Sequence, residues 1–328
     1  MTSSSCLVVM YHYVRDGEAT AFPRIRALPP ALFDQQLDWL EREYSVVAPA
    51  DVAAAVAGRA TLPADAAALT FDDGFIDHYV TVLPMLAARG LKGLFFVTSG
   101  TVGAARKVPA VHKTHFLLAA LGAEAFGRGV LQERDRVLAV SREGGPAARV
   151  FGADAWEHAD ERAIKNLLNY ELPFEVADRI LDALFSRHVG DEQMFAQALY
   201  LDGNMIREMA RAGMAFGYHT RSHRMLSRLS PAGQDRELRD GVAWIRELTG
   251  QQEVSFCYPW GGPGTYTAET VRLLQRHGYS MAYNTIRRRM VIGRDGPFEL
   301  PRLDTRDLPP YTAGEPASSI ASGVSEPA

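Results

Sequence analysis

Two kinds of hydrophobic pattern take turns along this chain. Short continuous apolar runs of strand length recur at Cys6–Met10, Ala66–Phe71, Gly93–Thr98, Met214–Tyr218, Val254–Tyr258, Ser280–Tyr283 and Phe298–Leu303. Between them lie stretches with helical spacing. Pro30–Glu43 puts Leu32, Phe33, Leu37 and Leu40 on one side, and Pro231–Gly250 does the same with Leu238, Val242, Ile245 and Leu248. Pro49–Ala57, Ile76–Arg89 and Thr267–His277 read as further helices, and Asp202 caps another that ends near Gly213. Strands that alternate with helices predict a parallel α/β sheet or barrel.

The alternation stops near Gly103. Residues 104–200 read mainly as helix, over Val111–Leu121, Ala125–Leu138, Glu161–Glu171, Pro173–Arg187 and Glu192–Ala198, with a polar, Gly/Ala-rich loop at 140–160. The predicted organisation is therefore a barrel from 1–103 and 201–312, a helical insertion at 104–200, and a disordered tail at 313–328, which is Ser, Gly, Pro and Ala with little to bury. The insertion carries Phe116, Leu117, Leu118, Ile164, Leu167, Leu168, Ile180, Leu181, Leu184 and Phe185, too much apolar surface for a loop. It must bury that surface against itself, the barrel or a second subunit. It is expected either to wall the substrate cleft or to serve as a structural or dimerising subdomain.

Composition narrows the class. The chain has 328 residues, 47% hydrophobic and 23% charged, with a formal net charge of −4. That suits one large domain, or one with a sizeable insert, and gives no reason to expect nucleic acid or an anionic membrane as partner. Cys6 and Cys257 make no disulfide framework and read as buried thiols. No basic segment leads into a secretory apolar core, and no stretch reaches the ~20 apolar residues of a membrane helix. The expected location is cytoplasmic, without integral membrane association.

The candidate chemistry sits at two strand ends. Ala66–Phe71 runs into Asp72-Asp73-Gly74, and Met214–Tyr218 runs into His219-Thr-Arg-Ser-His223. Alone, the first is often just a turn and the second often a solvated pair or a satisfied core pair. Together, at the C-terminal ends of strands, they offer one carboxylate and two imidazoles for a divalent metal with open positions, plus a second carboxylate beside it.

The wording of these strings resembles the polysaccharide deacetylase (NodB-homology) family. Thr70-Phe-Asp-Asp-Gly-Phe-x-Asp77-x-Tyr79, then Leu83-Pro84, Gly90 and Phe95-Phe96-Val97, is similar to its first motif, and His219-Thr-x-Ser-His223 to its second. Phe256-Cys257-Tyr258-Pro259-Trp260-Gly261 is similar to its third, and Tyr11-His12-Tyr13-Val14 to the opening of one branch. The resemblance covers roughly 6–103 and 200–304. It implies a distorted (β/α) barrel that removes an N-acetyl or N-formyl group from an amino sugar or glycan precursor. It implies Asp73, His219 and His223 as metal ligands, for zinc first with other transition metals open, Asp72 as general base, and the Trp260 backbone N–H as oxyanion donor.

The chain departs from the family twice. Cys257 stands where an arginine usually orients the base, and Arg302, near the end of the last strand, is the candidate replacement. The usual Leu-His-Asp string carrying the general acid is absent. His12 is the favoured substitute, with His112 and His115 in the insertion, or the metal alone, as alternatives; His277 falls within a helix pattern. Gly261-Gly262-Pro263-Gly264 lacks the ending of a phosphate loop and reads as a rim turn. Two other functions stay open: an amidohydrolase of small non-sugar amides on the same scaffold, and a glycan-binding barrel without turnover.

Overall fold

The computed structural model describes residues 5–142 and 161–310. The predicted tail and most of the 140–160 loop lie outside them. The chain divides into two compact units, one of Met1–Arg15, Ala27–Ala105 and Leu199–Ala328, the other of Asp16–Arg26 and Arg106–Ala198.

The first unit is a curled, mainly parallel sheet with helices, the distorted barrel that the pattern predicts. Its strands are β1 (Ser5–Tyr11), β2 (Ser45–Val46), β3 (Ala66–Phe71), β4 (Gly93–Val97), β5 (Ala215–Tyr218), β6 (Ser255–Cys257), β7 (Ala282–Tyr283), β8 (Met290–Val291) and β9 (Leu303–Asp304). The order is β7-β6-β5-β4-β3-β1-β8, with β2 on β3 and β9 on β1. β1 and β3 run parallel from Cys6 opposite Ala66 to Tyr11 opposite Phe71. The predicted last strand, Phe298–Leu303, is reduced to a bridge and two strand residues. Leu300 bridges Tyr283 of β7, and Leu303 pairs with Val9 of β1, so this short segment links β7 to β1.

Side chains alternate across the sheet. Leu7, Val9, Tyr11, Leu69, Phe71, Phe95, Val97, Phe216 and Phe256 share one core with the flanking helices α1 (Pro30–Glu43), α9 (Gly203–Arg211), α11 (Gly241–Thr249) and α12 (Ala268–Arg276). Cys6, Val8, Ala66, Ala68, Leu94, Phe96, Cys257 and Tyr283 form a second core on the other face, with Val52 and Ala55 of α2 (Pro49–Val56). Gly217 makes this inner face possible: a Cβ there would lie 2.4 Å from the Phe96 ring and 2.9 Å from the Ser255 carbonyl oxygen.

Two helices depart from prediction. The expected helix Ile76–Arg89 is a π-helical turn, His78–Val82, followed by α3 (Leu83–Ala88). Pro84 has no N–H to close the ladder, and Leu83 N–H instead bonds the His78 carbonyl, five residues back. The expected single helix 231–250 is α10 (Pro231–Leu238) and α11, broken at Arg239–Asp240. At the break, a Cβ on Gly241 would lie 2.2 Å from the Tyr279 hydroxyl and 2.3 Å from the Tyr218 ring, so close aromatic packing sets the geometry there.

The second unit is helical: α4 (Ala110–Leu121), α5 (Ala123–Arg142), α6 (Glu161–Asn166), α7 (Phe174–His188) and α8 (Glu192–Leu199). Asp16–Arg26 belongs here and not with the barrel, where the sequence pattern assigned it. The reason is local. Phe22 packs edge-on against Phe116 at 5.1 Å and Phe195 at 5.8 Å, and Arg24 donates to the Ala119 and Ala120 carbonyls. Lys113, almost fully buried, is held by Glu192 at 2.8 Å and by Asp182.

Gly217→Ala is expected to destabilise the protein by at least about 1–3 kcal/mol through overpacking, because the clash involves backbone as well as a ring. Urea unfolding of the variant checks this, and an unchanged midpoint would refute the packing account.

Candidate active site

Asp72 continues the inner row of β3. Residues 66 and 68 face the inner core, and period two carries Thr70 and Asp72 to the same side. The Asp72 N–H still bonds the Tyr11 carbonyl at 2.9 Å, so the carboxylate leaves the strand end inside the barrel. Arg302, on the segment that links β7 to β1, meets it there fully buried. Its Nη1 donates to Asp72 Oδ1 at 2.8 Å and to Thr70 Oγ1 at 3.0 Å, and Nη2 to Asp72 Oδ2 at 2.7 Å and Cys257 Sγ at 2.9 Å. Nε donates to the Asn284 carbonyl at 3.0 Å, so every N–H of the guanidinium has an acceptor. The Phe96 ring lies 5.6 Å from the guanidinium carbon. Burial by itself would raise the Asp72 carboxyl, but the Arg302 charge and hydrogen bonds prevail and hold it at about 2. Burial pushes the Cys257 thiol up, so it stays protonated, 3.4 Å from Asp72 Oδ2.

Asp73 leaves that row. It has φ +77°, and Gly74 follows at φ +68°, which turns its carboxylate toward the end of β5. There His219 Nε2 lies 3.5 Å and His223 Nε2 3.2 Å from Asp73 Oδ1. The histidine loop is set by its own backbone. His219 N–H bonds the Val97 carbonyl at 3.0 Å, and His223 N–H bonds Thr220 Oγ1 at 2.9 Å. Glu237 accepts from the N–H groups of Arg221 and Ser222 at 3.0 and 2.8 Å. Among the described residues, the non-glycine positions with positive φ are Asp73, Thr220, His223 and Trp260, all in this site. Such backbone costs energy and gathers where geometry matters more than stability.

The three groups suit a divalent metal. Their ligand atoms lie within 4.8 Å of one another. His219 Nδ1 sits 2.8 Å from the Cys257 carbonyl, which can only accept. Nδ1 therefore carries the proton, and in the neutral ring Nε2 presents a lone pair toward Asp73. A second group, Asp72, His219 and Cys257, is equally close together. It does not suit a cation, because the Arg302 guanidinium already occupies Asp72 and Cys257.

His12 Nε2 lies 3.9 Å from Asp72 Oδ2, with its side chain 41% exposed. Trp260 is half-buried, its ring 6.3 Å from that of His223, and its carbonyl accepts from Thr285 Oγ1 at 2.9 Å. His112 is buried in the second unit, its ring 6.0 Å from that of His115. His277 caps α12 and pairs with Asp235 at 2.8 Å, a link between helices. Sequence reasoning placed Thr70 and Phe96 in the first motif without giving them a role, and it missed Glu237. Period two from Asp72 could have given Thr70 its role, but nothing local marks Glu237.

Arg302→Met is expected to cost about 3–5 kcal/mol, because it leaves a buried carboxylate without its cation. Asp72→Asn with Arg302→Met should cost less than Arg302→Met alone. Urea unfolding of the metal-free proteins checks both, and equal or additive losses in the double variant would reject the ion-pair account. In the parent protein the pair's contribution is complete above the ordinary carboxyl value of 3.8. It falls away as the pH drops toward about 2, since folding lowers this group's pKa.

The polysaccharide deacetylase family model matches residues 59–125 and 171–282, more than half of the chain. YxkH of Bacillus subtilis (strain 168), a proposed polysaccharide deacetylase, is 19% identical over 279 residues, 85% of this chain. The match spans 63% of that protein's length. Among solved structures, the Streptococcus pyogenes deacetylase PplD in complex with acetate superposes with a TM-score of 0.56 at 18% identity, over 92% of this chain and 93% of that one. IcaB from Ammonifex degensii gives 0.54 at 21% identity, over 93% of each chain. A de-N-acetylase from Aggregatibacter actinomycetemcomitans gives 0.55 at 17% identity, over 92% and 94%. These likenesses carry the fold, and the family match carries the assignment: the chain belongs to the polysaccharide deacetylase family.

Proposed function

We propose that this chain is a metal-dependent N-deacetylase of a glycan built from N-acylated amino sugars. The observation that carries the reading is the division of labour between neighbours: Asp72 is clamped by Arg302, while Asp73 faces His219 and His223. Asp73, His219 and His223 would hold the ion, zinc first. When bound, such an ion polarises the acyl carbonyl and makes a nearby water more acidic.

The remaining steps fall to the chain itself. Asp72, ionised at neutral pH, takes the proton of the attacking water. The guanidinium keeps its carboxylate in one orientation, which a mobile carboxylate would have to find anew in each turnover. The Trp260 backbone N–H, in a left-handed turn fixed from Thr285, serves the developing oxyanion. As the C–N bond breaks, the amine nitrogen needs a proton, and His12 is the histidine beside Asp72 that supplies it.

Two measurements test the reading. Zinc-loaded chain should release acetate from a pentamer of N-acetylglucosamine, and absence of release would overturn it. Asp72→Asn should keep its zinc and lose about 10²–10⁴-fold in turnover, the range for a general base. His219→Ala should lose the zinc itself. Metal analysis beside acetate release separates the two roles, and zinc content unchanged by His219→Ala would remove that histidine from the ligand set.

A further inference from the structure

The first motif does not end at Gly74. Asp77 and His78 follow it, both buried, at the start of the π-helical turn. His78 Nε2 lies 3.0 Å from the His12 carbonyl. That carbonyl only accepts, so Nε2 carries the proton. Burial pushes His78 down to about 4, so its ring is neutral at ordinary pH. Asp77 Oδ2 accepts from Val14 N–H at 3.1 Å and from Arg15 Nε at 2.8 Å.

These contacts bracket His12. Its own carbonyl is held by His78, and the amide two residues on is held by Asp77. The rest of the segment is fixed too. Tyr11 O accepts from Asp72 N–H at 2.9 Å, Tyr13 O from Leu28 N–H at 3.0 Å, and the Tyr13 ring stacks on Phe75 at 4.0 Å. The imidazole, by contrast, makes no hydrogen bond among the described residues; its ion-pair neighbour is Asp72 at 3.9 Å. Its place beside the base is therefore set through the backbone.

We propose that Asp77 and His78 are positioning residues for His12, holding the His12–Arg15 segment so that the imidazole stays beside Asp72 during proton delivery. The inference rests on the reading of His12 as the group that protonates the amine. A misplacement on the order of 1 Å at such a group can cost about 10²-fold in rate, so the effect is measurable.

The test separates a positioning role from general damage by the leaving group. An amine must be protonated as it departs, whereas the phenolate of an aryl acetate leaves without help. Zinc-loaded His78→Gln and Asp77→Asn are assayed on the N-acetylglucosamine pentamer and on 4-nitrophenyl acetate, alone and combined with His12→Ala. We expect kcat on the amide to fall about 10- to 100-fold, with KM, zinc content and ester turnover nearly unchanged. In the His12→Ala background the same changes should add nothing, because the group they position is gone. Equal losses on amide and ester, or full losses added on top of His12→Ala, would overturn the proposal while leaving His12 its role. Normal amide turnover by His12→Ala would instead remove the acid reading, and this inference with it. Should both buried variants fail to fold, Arg15→Ala, which loses one of the Asp77 contacts, must show a smaller amide-selective loss; its absence also overturns the proposal.

Discussion

The buried pair between Asp72 and Arg302 is the interaction on which the rest of the site depends. A carboxylate inside a barrel is tolerable only if its charge is met and its lone pairs are used. Here both oxygens receive a guanidinium N–H, and the guanidinium's other donors end on Thr70, Cys257 and the Asn284 carbonyl. The requirement reaches into the fold. Phe96 must lie under the guanidinium, Gly217 must leave room for Phe96, and residues 300–304 must join β7 to β1 so that Arg302 can enter. That closing segment has few ladder bonds of its own, so the ion pair is a substantial part of what ties it to β3, 230 residues away in sequence.

Two adjacent carboxylates have different partners because the backbone separates them. Asp72 still follows the strand, whereas Asp73 turns out of it at positive φ. The guanidinium then neutralises one and leaves the other to the imidazoles. Without it, Asp72 would be a second buried carboxylate with no cation of its own. Cys257 joins the two halves. Its thiol touches the Asp72–Arg302 pair, and its carbonyl fixes the tautomer of His219. A change in β6 is thus felt at Asp72 and at the candidate metal site together.

Much of this was legible in the sequence, for identifiable reasons. Apolar runs and helical spacing report burial, so β1, the strands from β3 to β7 and helices such as Pro30–Glu43 could be read from the pattern. The strand-end strings gave Asp72, Asp73, His219 and His223. What could not be read depends on partners distant in sequence. β2 and β8, of two residues each, carry no periodicity. The break between α10 and α11 comes from Tyr218 and Tyr279 against Gly241, which the helical spacing of 231–250 conceals. Asp16–Arg26 looked like barrel loop because nothing local shows that Phe22 meets Phe116 and Phe195. Glu237 reads as an ordinary surface helix residue until the loop it anchors is seen.

The cysteine in the third motif shows what that motif physically requires. An arginine there and Arg302 here would serve one purpose, a guanidinium on Asp72. The purpose fixes where the charge must be, not which strand supplies it. Cys257 lines the inner core, and its sulfur lies 2.9 Å from Arg302 Nη2. A long cationic side chain at 257 would therefore compete for the volume that Arg302 fills, and would set two guanidinium groups against one carboxylate. A small neutral thiol avoids both problems, and it accepts one of the guanidinium donors. Positions 257 and 302 are thus coupled through the charge on Asp72, and the guanidinium that meets it enters from the closing segment and not from the third motif.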